Sequence, residues 1–412
     1  PGPALRLVLY INMLAGKGRN FRMKKRKALA CLLALGMLAG AAGCGQSAQN
    51  GDTAAEDTQS AETDAAETAE TETAKADTDA AGTRLITDSE GREVEIPEKV
   101  ESIVCLNVGA LRYTCYMQAQ DLVIGVEDYE KEQSISRGYN YVNFELFQDL
   151  PVVGTNGEHY PEEIISADPD VIVMSAYDDS DAASLQEMTG IPVVLVPGSD
   201  SMMDEGAYET FRIMGEIYGK EDRAQELLDY MDSIKEDLET RTADAAEEDK
   251  PTVYVAGVSY KGAHGFEGTE AGYGPFAAIN AKNLADETGQ TGPFDIDPEQ
   301  VLAWDPDVIF VDFNGLALVN EDYASNPDYY EQLTAVQEGR VYSQISFRSS
   351  ASNLDTALAD TYYAASILYP EQFADVDPEE KAAEIFEMLL GENFYEDLKA
   401  NGYEFRQITI GE

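Results

Sequence analysis

A thirteen-residue unit occurs twice in this 412-residue chain, and its spacing limits the architectures open to it. Residues 161–173 read Pro-Glu-Glu-Ile-Ile-Ser-Ala-Asp-Pro-Asp-Val-Ile-Val, and residues 298–310 read Pro-Glu-Gln-Val-Leu-Ala-Trp-Asp-Pro-Asp-Val-Ile-Phe. Nine of the thirteen positions are identical or exchange Ile, Leu and Val. Proline at a first helical position, a turn at Asp-Pro-Asp and a β-branched apolar run predict a short helix, a tight turn and a buried strand. The copies start 137 residues apart, so each belongs to its own half of the molecule. The length itself exceeds one ordinary domain and calls for two lobes with appendages.

Short apolar runs at 102–106, 123–126, 171–174, 193–196, 252–256, 308–311 and 340–343 alternate with helical patterns. That alternation predicts an α/β fold of two Rossmann-like lobes, each with a central, largely parallel sheet and crossover helices. Residues 84–96 read as a hairpin turning at 89–91. Between 207 and 241 no proline interrupts a helix-period pattern (Phe211, Met214, Ile217, Ala224, Leu227, Leu228, Met231, Ile234, Leu238). If continuous, this helix is on the order of 50 Å long and suits a rigid connector. A polar stretch, 242–250, ends at Pro251. The expected division is a first lobe at 84–206, a connecting helix at 207–241 and a second lobe at 251–412.

Ahead of the lobes the composition changes twice. Residues 1–44 carry eight basic residues and no acid, while 45–84 carry ten acids against Lys75 and Arg84. Met23-Lys-Lys-Arg-Lys27, an apolar run to Ala42 and Gly43-Cys44 have the layout of a secretory signal at 23–43. The apolar run is short and rich in Ala and Gly, unlike a spanning helix. Ala41-Ala42-Gly43-Cys44 resembles a bacterial lipobox, which implies lipidation of Cys44. Residues 44–83, built mainly from Ala, Thr, Glu and Asp, read as a solvated tether. Residues 1–22 read as translation from upstream of the true start at Met23. Cys105 and Cys115 read as buried free thiols, with a disulfide between them open in an oxidising compartment.

The lipobox, the early piece 86–96, the paired Asp-Pro-Asp-Val-Ile units and the long connector together resemble a substrate-binding lipoprotein of an ABC importer. More narrowly, they are similar to the helix-bridged (class III) periplasmic binding proteins for ferric siderophores, haem and cobalamin, some of which bind oxyanions such as molybdate. The resemblance covers about residues 84–412. It implies a ligand held in a cleft between the two lobes, an extracytoplasmic lipid-anchored protein, a monomer, no enzymatic activity and no cofactor. It also implies two permease-docking acids at the start of the repeated unit, Glu162 and Glu299. A ferric chelate is the expected ligand, with a molybdate- or tungstate-type oxyanion, haem or cobalamin as alternatives.

The residues narrow the site further. With 78 acids and 28 bases the formal net charge is −50, a field that repels nucleic acid and anionic lipid heads. A negatively charged ligand therefore needs a local cation. In open α/β sheets ligands bind beyond the carboxyl ends of strands. That rule nominates the loops at 107–112, 127–129, 175–177, 197–199, 259–267, 312–314 and 346–350. Arg348, in a Ser/Phe/Ser setting, is the preferred anion anchor, with Arg112 and Lys261 as further cations. The glycine-interleaved segment 259–275 adds Tyr260, His264, Glu267 and Tyr273, and the loop after 174 adds Tyr177. His264 reads equally as a hydrogen-bonded loop residue, a switch or a metal ligand. No metal site is assigned: the cysteines lack ligand spacing, and His159 and His264 are too few for the nitrogen-rich cluster of a bare zinc or manganese importer. Nucleophile-elbow, P-loop, zincin and dinucleotide motifs are all missing from the sequence.

Overall fold

The computed structural model describes residues 82–412 except 156, 177–180, 199–201, 247 and 249. The signal segment, Cys44, the tether and Tyr177 lie outside the described residues. β1 (Thr83–Thr87) and β2 (Glu93–Pro97) form an antiparallel hairpin. Its turn is held by Asp88, whose carboxylate accepts the N–H groups of Glu90 at 3.1 Å and Arg92 at 2.9 Å. The first lobe is built on β3 (Ile103–Leu106), β4 (Val123–Glu127), β5 (Val152–Thr155), β6 (Glu158–His159), β7 (Val171–Ala176) and β8 (Val193–Pro197). They lie in the order β6-β5-β4-β3-β7-β8, with only the short edge strand β6 antiparallel.

The second lobe contains β9 (Thr252–Ala256), β10 (Gly268–Ala271), β11 (Lys282–Asn283), β12 (Gly292–Asp295), β13 (Val308–Asp312) and β14 (Val341–Gln344). Its parallel sheet runs β11-β9-β13-β14, while β10 and β12 pair antiparallel as a separate ribbon. The central strands β3 and β13 are buried along their whole length, as parallel strands covered on both faces must be.

The repeated unit has a shared physical purpose. Each copy forms a seven-residue helix, Pro161–Ala167 and Pro298–Trp304, closed by an aspartate in the left-handed region: Asp168 at φ 57° and Asp305 at φ 46°. The second aspartate then joins two strand starts. Asp170 Oδ2 accepts the N–H groups of Glu101 at 2.7 Å and Ser102 at 2.9 Å, next to β3. Asp307 Oδ2 accepts the Thr252 N–H and hydroxyl, both at 2.8 Å, at the start of β9. The same residue pattern thus sets the register of the central strand pair in each sheet.

The connector differs from a single run. Residues 205–242 form two helices, Glu205–Tyr218 and Glu221–Thr242, separated at Gly219, which adopts φ 61°. The first buries Phe211 against Tyr113 and Tyr116 of the helix Ala110–Tyr116. The second, 22 residues long, spans roughly 33 Å. Its start is bound to the first lobe by Arg223, which donates to the Tyr116 carbonyl at 3.0 Å. Its end is bound to the second by Arg241, which pairs with Asp375 at 2.6 Å. One apolar cluster runs from Ile103 and Val171 through Leu227, Met231 and Leu238 to Val253 and Phe310.

Two glycines let the loop after β9 pass close to the first turn of the helix Phe313–Ser325 that follows β13. A Cβ on Gly315 would lie 2.5 Å from the Gly257 carbonyl oxygen and 2.6 Å from that of His264. Gly315→Ala is therefore expected to destabilise the protein by about 1–3 kcal/mol, read as a lower urea midpoint at unchanged m. An unaltered midpoint would mean that the loop and the helix do not meet here.

Candidate functional site

The carboxyl ends of β9, β13 and β14 converge on a cavity of about 340 Å³ lined by Ser259, Tyr260, Lys261, Gly262, Ala263, Asn314 and Arg348. Three residues nominated from the sequence, Tyr260, Lys261 and Arg348, therefore share one wall. Lys261 is exposed, adopts φ 54°, and has no hydrogen bond or ion pair among the described residues. The Ser259 hydroxyl is buried without a hydrogen-bond partner. Larger hollows lie elsewhere. One of about 520 Å³ is lined by five acids, Asp237, Asp375, Asp377, Glu380 and Glu384, against Arg241 and Lys381, which pair with Asp375 and Glu384, so acid is in excess there.

Arg348 reaches the cavity with its charge already matched. Its Nε donates to Glu270 Oε2 at 2.6 Å and its Nη2 to Glu270 Oε1, a two-pronged pair with a carboxylate whose side chain is 2% exposed. Glu270 was not legible as a partner, because β10 sits inside a stretch that reads as a glycine-rich loop. Arg348 also lies over the Phe347 ring, 5.4 Å from its centroid.

Arg112 is placed away from the cavity. It is 1% exposed, and it donates to Asn353 Oδ1 at 3.0 Å, to the Ser352 carbonyl at 2.9 Å, to the Ser349 carbonyl at 3.1 Å and to the Ser350 carbonyl. Four of its five N–H groups are thus directed to the loop after β14, a structural setting. Tyr273 is also in the core, packed on Phe276 and Phe347.

His264 stands behind Tyr260. The two rings stack at 3.9 Å with 7° between planes. Nε2 of His264 faces the Tyr260 carbonyl at 2.9 Å, and Nδ1 faces Asp295 Oδ1 at 2.7 Å. Glu267 folds back over Gly265, whose N–H it accepts at 3.3 Å. His159 lies on the edge strand β6, with its pKa lowered by burial. Glu162 and Glu299 are exposed in the first turns of the two repeated helices.

Two carboxyl groups at the ends of strands are pushed well above the usual carboxylate range by their surroundings. Burial raises Asp312, at the end of β13, to about 7, although Ser346 and the Asn314 N–H both donate to it. Burial, and next the charge of Glu130, raise Glu127 at the end of β4 to about 7. Cys105 and Cys115 are buried free thiols, not a disulfide.

A family model described as periplasmic binding protein matches residues 121–344, from the start of β4 to the end of β14. The chain is 24% identical over 319 residues to the molybdate-binding protein MolA of Haemophilus influenzae, covering 72% of this chain and 88% of that protein. It is 25% identical over 331 residues to YvrC of Bacillus subtilis, an uncharacterized ABC transporter substrate-binding lipoprotein, covering 78% and 90%. A crystal structure of a periplasmic solute binding protein from Veillonella parvula superposes with a TM-score of 0.61 at 18% identity, over 76% of this chain and 94% of that one. The last likeness shows the two-lobed fold alone. The family match spans both lobes, and the chain belongs to the periplasmic binding protein family, the extracytoplasmic solute-binding proteins of ABC transport rather than enzymes.

Proposed function

We propose that this protein captures a small oxyanion of the molybdate type in the cavity at the ends of β9, β13 and β14 and delivers it to an ABC permease dimer. The observation that carries this reading is Lys261, a cation with no carboxylate partner among the described residues in a chain of net charge −50. Around it the wall offers the unpartnered Ser259 hydroxyl, Asn314 and the outer edge of Arg348. These are donors suited to oxygen atoms of an anion. The partial neutralisation of Asp312 by burial reduces the opposing charge nearby. The likeness to MolA supports the same ligand class. A ferric chelate with carboxylate arms is the second reading, favoured by the Tyr260 ring on the same wall.

Binding is tested calorimetrically with molybdate, tungstate, sulfate, ferric citrate, haem and cobalamin. Molybdate or tungstate is expected to bind. Lys261→Gln should weaken that binding by about ten- to a hundredfold, the equivalent of one charge-assisted contact of roughly 1.5–3 kcal/mol, without altering the melting of the ligand-free protein. Binding of only a ferric chelate would transfer the site to the second reading, and equal affinity in Lys261→Gln would remove the anchor.

Delivery requires docking and tethering. We assign docking to Glu162 and Glu299, which occupy equivalent, exposed places in the two lobes. The double variant Glu162→Ala, Glu299→Ala should abolish uptake in cells while solute affinity stays at the wild-type value; normal uptake sinks the assignment. Residues 23–43 are proposed as the signal and Cys44 as the lipidated residue. Cys44→Ser should move the protein from the membrane fraction to the soluble one, unless an uncleaved signal retains it, which the mass of the product decides. Full membrane association of a cleaved Cys44→Ser product overturns the lipid anchor.

A further inference from the structure

Beside the anion cavity, but not lining it, one donor atom each from His264, Glu267 and Asp295 lies within 4.8 Å of the other two. We propose that these three residues bind a divalent transition-metal ion such as Zn²⁺. The inference is independent of which solute the cavity takes.

The chain brings the donors together by backbone constraints. Asp295, the last residue of β12, pairs in register with Gly268, the first residue of β10. The Ile296 N–H then donates to the Glu267 carbonyl at 2.9 Å, so the two acids are held on adjoining backbones. The 264–268 turn closes through Gly268 N–H to the Gly265 carbonyl at 3.1 Å. A Cβ on Gly265 would sit 2.8 Å from Glu267 Oε2, so this glycine leaves the space the carboxylate occupies.

The histidine is oriented as a ligand is. Its Nε2 lies 2.9 Å from the Tyr260 carbonyl and its ring is clamped against the Tyr260 ring. With a proton on Nε2 donated to that carbonyl, the lone pair of Nδ1 faces Asp295 Oδ1 at 2.7 Å, acceptor against acceptor. A cation between them resolves the conflict, either a proton, giving an imidazolium, or a metal ion. An outer hydrogen bond from the second ring nitrogen to a carbonyl is the usual device that fixes the tautomer of a metal-bound histidine. One imidazole and two carboxylates suit zinc and its neighbours, with metal–ligand distances of about 2.0–2.2 Å. Asp295 must draw back slightly to admit the ion, and its side chain is 51% exposed and able to do so. The acidic field that opposes an anion attracts this cation.

Such an ion would join the loop after β9 to the β10–β12 ribbon. Tyr260 stacks on the ligating ring and Lys261 follows it, so the metal would fix the wall of the anion cavity from behind.

The test uses the full chain stripped with a chelator, Zn²⁺ alone, and excess Mg²⁺ with high salt to suppress diffuse binding by surface acids. Equilibrium dialysis should give one tightly held Zn²⁺ per chain and a raised melting temperature. His264→Gln and Asp295→Asn should each weaken that binding by about tenfold or more, whereas His159→Gln should not. Circular dichroism of each metal-free variant establishes that it folds. Co²⁺ should show intense visible d–d bands in the wild type that Asp295→Asn removes. Zn²⁺ binding that Mg²⁺ abolishes, or that His264→Gln and Asp295→Asn leave intact, overturns the site.

Discussion

The Arg112 guanidinium is the contact on which the arrangement of this molecule depends. It belongs to the first lobe, yet its donors go to the loop after β14 in the second: to Asn353 Oδ1 and the carbonyls of Ser349, Ser350 and Ser352. That loop needs such a clasp. Ser350 and Ala351 both sit in the left-handed region, at φ 52° and 64°, where non-glycine residues are disfavoured. Burying a charge without partners is prohibitive, but here nearly every donor is satisfied, and the Tyr139 ring lies 5.1 Å from the guanidinium carbon. The clasp thus holds the segment that follows Arg348, while Arg348 itself is held by Glu270 within the second lobe.

Electrostatic accounting bears on the proposal that a chain of net charge −50 receives an anion. Its cations near the strand ends are mostly matched: Arg112 by carbonyls, Arg348 by Glu270. Burial holds Asp312 and Glu127 partly neutral at pH 7, which withdraws negative charge from the sheet edges. Lys261 remains as a positive group at the mouth with no ion pair among the described residues. Arg348 cannot be removed cleanly, since its loss leaves Glu270 buried without its cation, a defect that costs about 3 kcal/mol or more. The ligand-binding role proposed for Arg348 is thus entangled with a stabilising one, whereas Lys261 has no ion pair among the described residues.

Much of the fold was legible because it rests on local patterns. The Asp-Pro-Asp units place a helix stop and a strand start within a few residues, and the apolar runs that follow are the buried central strands. The connector was half legible. Its apolar spacing continues through Gly219, but a left-handed glycine between two helix-forming stretches divides it, and Gly215 packs so tightly on Ala224 that the two helices fold against each other. The site was less legible, for a different reason. The loop 259–267 betrays itself by glycines and aromatics, whereas the partners that decide its chemistry lie far along the chain. Glu270 meets Arg348 across 78 residues and Asn353 meets Arg112 across 241. No local pattern marks an acid or an asparagine for such a meeting, and Asp295 opposite His264 follows only from the register of β10 and β12.

The connector also bears on how such a protein selects its solute. Arg223 ties one end of the helix Glu221–Thr242 to the Tyr116 and Met388 carbonyls, and Arg241 ties the other to Asp375 and the Gln372 carbonyl. Between these ends its apolar face belongs to the same core that covers both sheets. A wide hinge motion would have to break the Arg112 clasp, both terminal arginine contacts and that shared core together. Under the proposed function, discrimination between solutes falls to the donors on the strand-end loops, and above all to the loop after β9, whose conformation is set by Gly257 against Gly315 and by His264 against Tyr260 and Asp295.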